Sequence, residues 1–265
     1  MVGTKVRNSI KRALAAATTP GMRTALLRAA FASMPELEKD NARVQWRIPS
    51  MDWSLRRLSR LGFNPQRVVD VGAFQGDWAR IARGAFPDAQ ILMIEAQQTM
   101  EPALANAVKE LGNSAFRVAL LGAEGGMTVE FFELETGSSV LPERSSVSRL
   151  VRTSQTVTLD DVLSEEMPGG ADFLKLDVQG YELEVLKGGT GALDAAEVVV
   201  AEVSLLPINE GAPLLHDVTA FMRDRGFVAY DICDLIRRPL DLALWQVDIL
   251  FLKENSVLRS RLSYD

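Results

Sequence analysis

The chain has 265 residues, 47% of them apolar, enough for one large α/β domain with an extension and a sizeable buried core. Its formal net charge of −6 disfavours a nucleic-acid partner, whose phosphates want a basic footprint. Cys233 is the single cysteine, which excludes an intramolecular disulfide. No apolar stretch is long enough to span a bilayer, so a cytoplasmic location is expected.

Residues 1–50 read as a helical N-terminal extension of one or two helices, broken at Pro20-Gly21, with later stops at Pro35 and Pro49. Its first part carries Lys5, Arg7, Lys11, Arg12, Arg23 and Arg28 and no acid. Ala13–Ala17 is too weakly apolar for the core of a signal peptide. Such a basic face suits a peripheral membrane contact through anionic lipid, or a protein partner. A solvated helix surface is the simpler reading.

An α/β domain is expected over residues 51–254, with a polar tail over 255–265. Asp52 is placed to cap a helix whose apolar members are Trp53, Leu55, Leu58 and Leu61, and Gly62 ends it. Val68–Gly76 then reads V-V-D-V-G-A-F-Q-G: a buried strand, an acid and a small glycine-spaced loop. Trp78, Ile81, Ala82 and Ala85 follow at helical spacing. Strand, glycine loop and helix open a nucleotide-binding α/β sheet. Gln90–Glu95 is a second buried strand ending in an acid, and Met100, Leu104, Val108 and Leu111 mark the next helix. Ala115–Leu120 is a third strand and Met127–Phe132 a further one.

Thr136–Arg152, rich in serine and arginine without a clear period, is expected to be a long loop. Val157–Leu163 resumes as a strand end entering a short helix. Phe173–Val178 is a strand with an acid near its end, and Tyr181–Lys187 a short helix. Glu197–Leu205 is nearly all apolar, as a central strand requires. Pro213 suits the start of a helix with a stripe of Leu214, Leu215, Val218, Phe221 and Met222. Phe227–Ile232 and Asp248–Leu252 are the last strands. The order predicts a doubly wound, mostly parallel seven-stranded sheet, with any ligand beyond the carboxyl ends of its strands.

Asp70, Glu95, Asp177 and Glu202 all lie at or near such ends, which marks a site more strongly than any one of them does. Gly72 and Gly76 permit close backbone approach. The G-x-G-x-x-G dinucleotide pattern is missing, because Ala73 and Phe74 follow Gly72. Asp70, just before the loop, is expected to repel a pyrophosphate and to tolerate a sulfonium. Glu95 is placed to accept two ribose hydroxyls. Small apolar Ala119 and Leu120 end the third strand, where an adenine ring would lie.

Several blocks in order carry a specific resemblance. V-V-D-V-G-A-F-Q-G and Glu95 come first, followed by G-S-S-V-L at Gly137–Leu141 and V-T-L-D-D-V-L at Val157–Leu163. F-L-K-L-D-V-Q-G-Y-E-L-E-V-L-K-G-G at Phe173–Gly189 and E-V-S-L-L-P-I-N-E-G-A-P-L at Glu202–Leu214 complete the series. Over about residues 52–252 the chain resembles the FkbM-type methyltransferases. The resemblance implies a Rossmann-like methyltransferase fold, S-adenosylmethionine as donor, and methylation of a hydroxyl, often of a sugar in a surface glycan or glycosylated natural product. It puts Asp70, Gly72, Ala73, Phe74 and Gly76 on the cofactor loop and Glu95-Ala96 at the ribose. Ala119, Leu120, Ser139 and Asp177 are further candidate cofactor contacts. The chain departs from many members in having Phe74 in place of Asn and Ala96 in place of Pro.

A sugar hydroxyl needs a base or a metal to attack a methyl group. Asp177 and Glu202 are the candidate bases. His216, the single histidine, is a third candidate, although it points away from the apolar stripe of its helix. A Mg²⁺ ion held by Asp177 and Glu202 with Asp160 or Asp161 is the lesser alternative, since these acids form no compact metal motif. Lys175, inside a strand, is expected to pair with an acid. Arg144, Arg149 and Arg152 offer a grip for an acidic sugar or phosphate, if their loop is a lid. A homodimer is compatible with this reading. The alternatives in other classes are a non-catalytic cofactor-binding scaffold in a biosynthetic cluster and an NAD-dependent oxidoreductase.

Overall fold

The computed structural model describes residues 48–261 apart from 135, 136 and 146, together with residue 263 and scattered positions between 19 and 39. The chain divides into one unit over Met1–Ile48 and another over Pro49–Asp265. The expected N-terminal extension and its basic face fall largely outside the described residues. The second unit holds the α/β domain.

The first helix of that unit, α1, spans Met51–Arg60. The cap is Ser50, whose hydroxyl accepts from Trp53 N, and not Asp52, which sits in the first turn and pairs with Arg56. β1 (Arg67–Val71) runs into the glycine loop and α2 (Asp77–Ala85). β2 (Gln90–Glu95), α3 (Glu101–Leu111) and β3 (Ser114–Val118) follow. The third strand is shorter than its apolar run suggests. At Ala119 the chain leaves the main sheet, and Leu120–Leu121 forms a separate short strand, β4.

The described residues of 137–149 form the expected loop, pinned by isolated bridges at Ser139 and Glu143, but the last three residues of the expected stretch, 150–152, already belong to a strand. β5 (Thr128–Glu133) pairs antiparallel with β6 (Leu150–Val157), and β4 joins them in a small three-stranded sheet. Most of β6 is exposed, so it carries no inward apolar alternation from which a strand is read. α4 (Leu159–Glu166) and β7 (Phe173–Leu176) come next, then α5 (Glu182–Lys187) and a short α6 (Thr190–Ala195) that the sequence did not announce. All seven residues of β8 (Val198–Ser204) are buried. α7 spans Leu215–Asp224 and starts two residues after Pro213; the Asp217 carboxylate accepts from Leu214 N at its entrance. β9 (Phe227–Arg237) and β10 (Leu244–Lys253) are twice the expected length, or nearly so, and end the sheet as an antiparallel pair.

The seven-stranded sheet has the order β3-β2-β1-β7-β8-β10-β9, with β10 antiparallel to its neighbours and the others parallel. Helices cover both faces. Val68, Ile91, Met93, Phe173, Val198 and Val200 pack on α1, α2 and α3. Their strand neighbours Val69, Leu92, Leu174, Leu176, Val199 and Ala201 pack on α4, α5, α6 and α7. This period of two makes each strand apolar on both sides. The order reverses between β1 and β7, and that switch point lies between the Gly72 loop and Asp177.

Asp160, a candidate metal ligand from the sequence, is a helix cap. Its two carboxylate oxygens accept from Gly191 N and Ala192 N, each at 2.9 Å, at the start of α6. Asp161 is bonded to Thr158 at the entrance of α4. Asp160→Ala is expected to lower stability by about 1–2 kcal/mol in urea denaturation; an unchanged midpoint would show that this helix end needs no cap.

Candidate functional site

A cleft opens at the carboxyl ends of β1, β2 and β7. Its lining includes Gly72, Phe74, Glu95, Ala96, Ala119, Leu120, Ser139 and Asp177 from the sequence candidates. Leu121, Phe131, Val140, Gln179, Tyr181 and Val185 also line it. Phe131 and Val140 were not apparent because they reach the cleft from the small sheet and the segment it supports.

Gly72 is the closest backbone approach in this wall. It has φ +73°, and a Cβ there would lie 1.9 Å from the carbonyl oxygen of Asp177. Only glycine lets the loop after β1 pass this close to the end of β7. Glu95 organises the other side. Its Oε2 accepts from Phe74 N at 2.7 Å and its Oε1 from Gln97 N at 2.9 Å. Burial pushes its carboxyl up, against the pull of these N–H groups. Phe74 has φ +47°, and its bond to Glu95 ties this turn to the end of β2.

Asp70 does not line the cleft. Its side chain is fully buried on the α2 side of the sheet, and Lys175, its register partner on β7, lies 3.1 Å away. Burial pushes the Asp70 carboxyl up and Lys175 pulls it back. Burial alone would lower the Lys175 ammonium; Asp70 and Asp177 outweigh it and hold it above the ordinary lysine range. Lys175 Nζ also donates to Gly72 O at 3.2 Å and lies 3.5 Å from Asp177 Oδ2. Contrary to expectation, Asp70 is therefore not the group that would repel a pyrophosphate, because its charge is met by Lys175. Ala73 and Gly76 are likewise behind the wall. Ala73 is a core residue, and a Cβ on Gly76 would meet Ala107 of α3 at 2.9 Å.

Asp177 is the half-exposed carboxylate of the cleft. Glu202 is not in the wall. It is buried behind it, beside Asp248 on β10, and Gln246 Nε2 donates to it at 2.7 Å. Burial, then Asp177, Glu182 and Asp248, push the Glu202 carboxyl well up. His216 is not brought to the site; its side chain is 78% exposed on α7 beside Asp217. Ser139 is buried, with Oγ donating to Gln179 O at 2.9 Å and accepting from Leu141 N.

The three arginines of the expected lid are engaged with acids. Arg149 is buried against Glu143 and donates to Gly137 O. Arg152 pairs with Glu133 and Arg144 with Glu210. Glu143 and Asn209 form a β-bridge, so the segment carrying Ser138–Val140 is held from both sides. Among the described residues lining the cleft there is no lysine, arginine or histidine. Among the described residues, no helix is long and apolar enough to cross a membrane.

Residues 70–229, more than half of the chain, match the family model described as the Methyltransferase FkbM domain. A stretch of 83 residues is 31% identical to the hexuronic acid methyltransferase AglP of Haloferax volcanii, covering 29% of this chain and 35% of that protein. The chain thus spans about a third of the length of that curated relative. The methyltransferase sdnD of Sordaria araneosa is 26% identical over 202 residues, 64% of this chain and 76% of that protein. Among solved structures, the methyltransferase FkbM from Methylobacillus flagellatus KT is similar over 70% of this chain and 43% of that one, at 16% identity and a TM-score of 0.48.

Two buried acids near Asp177 make stability depend on pH. Burial pushes Glu182 up to about 7, and burial with Asp177 pushes Asp248 up to about 7. An unfolded carboxyl titrates near 4. Between these values the folded chain binds more protons than the unfolded one, so stability falls as pH rises from about 4 to about 7. Thermal melts at constant ionic strength are expected to decline between pH 5 and 7.5, and to decline less in Glu182→Gln and Asp248→Asn. Equal slopes in all three proteins would contradict this.

Proposed function

The chain belongs to the FkbM methyltransferase family, and from that premise we propose that it transfers a methyl group from S-adenosylmethionine to a hydroxyl of a sugar, in a surface glycan or glycosylated natural product. One observation carries the donor. The cleft presents Glu95 and Asp177 and, among its described lining residues, no cation. A pyrophosphate cofactor would find no basic side chain in this wall to receive it, whereas a sulfonium needs none.

The residues fit such a donor in three ways. Gly72 lets the loop close onto the carbonyl of Asp177 and so sets the backbone wall of the cleft at the switch point. Glu95 accepts from Phe74 N and from both the backbone and the side chain of Gln97, and the capacity left on the carboxylate suits a ribose hydroxyl. Ile94, Ala119, Leu120, Leu121, Phe131 and Val185 give an apolar wall for adenine. When bound, the donor supplies a methyl carbon on a positively charged sulfur.

Alignment of the acceptor oxygen with that carbon does most of the work. Of the three candidate bases, Asp177 alone lines the cleft, and we assign it the proton of the acceptor hydroxyl. Its Oδ1 accepts from Gln179 Nε2 at 2.9 Å. Lys175, 3.5 Å from Oδ2, keeps this carboxylate from facing the buried acids behind it uncompensated. Glu202 acts from behind and His216 takes no part. The resemblance to a hexuronic acid methyltransferase over part of the chain supports a sugar acceptor.

Calorimetric titration with S-adenosylmethionine is expected to show one binding site, with no heat from NAD under the same conditions. Gly72→Ala, which drives a Cβ into Asp177 O, is expected to abolish the binding. Binding of NAD in place of S-adenosylmethionine would overturn the reading.

A further inference from the structure

Gln179 stands in the cleft wall between Asp177 and Gly180. Its backbone is left-handed, with φ +52°, a conformation that glycine adopts at lower cost. The turn itself does not ask for glutamine. Gly180, at φ +95°, supplies the reversal, and a Cβ there would meet the Cβ of Ala212 at 2.7 Å. A long polar side chain in a strained position is explained by what that side chain holds.

It belongs to a chain of hydrogen bonds that runs outward from the Gln246 amide. Gln246 is buried, and its Nε2 donates to Glu202 Oε2 at 2.7 Å and to Gln179 Oε1 at 3.4 Å. With its oxygen so engaged, the Gln179 amide turns its N–H groups the other way. Its Nε2 donates to Asp177 Oδ1 at 2.9 Å. The Asp177 carboxylate at the cleft end accepts, and this fixes which way the Gln179 amide points. The backbone oxygen of Gln179 accepts from Ser139 Oγ at 2.9 Å, which ties the same residue to the segment over the cleft.

Resting on the donor assigned above, we propose that Gln179 is a positioning residue, backed by Gln246 and Glu202, that fixes the Asp177 carboxylate where it favours a positively charged sulfur over a neutral one. Methyl transfer breaks the sulfur–carbon bond and leaves the donor as a thioether, while the acceptor oxygen gains the carbon and gives its proton to Asp177. A carboxylate held in place raises affinity for the charged donor relative to the spent one and so favours their exchange. A carboxylate free to rotate toward solvent loses this discrimination.

The test is calorimetry on the full chain with S-adenosylmethionine and, separately, S-adenosylhomocysteine, paired with thermal melts. The quantity read is the ratio of the two dissociation constants, spent form over donor, whatever its starting value. The ratio is expected to fall about tenfold in Asp177→Asn and in Gln179→Met, the scale of one hydrogen bond to a charged group. Gln246→Met, outside the cleft, is expected to lower it part of the way. Gln179→Gly, relieved of the left-handed strain, is expected to melt no lower than the wild type and still to lose the discrimination. A merely structural Gln179 would weaken both ligands alike, and an unchanged ratio overturns the proposal. Failure of the wild type to bind either ligand overturns the donor assignment itself, an outcome distinct from an unchanged ratio.

Discussion

The site depends on one buried ammonium. Lys175 lies on β7 at the switch point, 3.1 Å from Asp70 on β1, 3.2 Å from the carbonyl of Gly72 and 3.5 Å from Asp177. One cation therefore joins the strand, the loop that follows it and the carboxylate of the cleft. Its surroundings raise the stakes: Trp78 and Phe173 pack edge to face beneath the sheet, and the Trp78 ring lies 6.0 Å from Nζ. Removing one partner of such a pair strands the other charge, at a cost of about 3–5 kcal/mol. The pair is better understood as a device that fixes the loop than as a source of net stability.

Around this anchor the acids divide by depth. Glu95 and Asp177 reach the cleft, Asp70 is spent on Lys175, and Glu202 and Asp248 lie side by side behind the wall. Burial, with neighbouring carboxyls adding to it, favours the protonated forms, which is why Glu182, Glu202 and Asp248 are all pushed up. Asp177, the partly exposed one of the two at the cleft, then carries the charge that a ligand meets. Carboxylates at different depths thus take different tasks without any change of residue type.

Much of this was legible in the sequence. β2 and the start of β7 fall where their apolar runs put them, and the strand-loop-helix unit around Gly72 follows from glycine spacing and helical period. The loop positions Gly72 and Phe74 and the strand-end acids Glu95 and Asp177 do meet at one cleft. Side-chain direction was not legible. Asp70 and Asp177 look alike as acids at strand ends, and only the pleat and the register with Lys175 send one into the core. β6 was hidden because an exposed strand of serine, threonine and arginine has no apolar alternation. Gln179 and Gln246 were hidden because they are 67 residues apart and gain meaning from each other.

The cleft bounded by Gly72, Glu95 and Asp177 is the proposed seat of the methyl donor. A crystal structure of the full chain grown with S-adenosylhomocysteine tests that placement directly. Ribose hydroxyls are expected within hydrogen-bond distance of the Glu95 carboxylate, adenine against Leu120 and Phe131, and sulfur on the Asp177 side of Gly72. A ligand bound elsewhere, or in this cleft with Glu95 left unengaged, would contradict it.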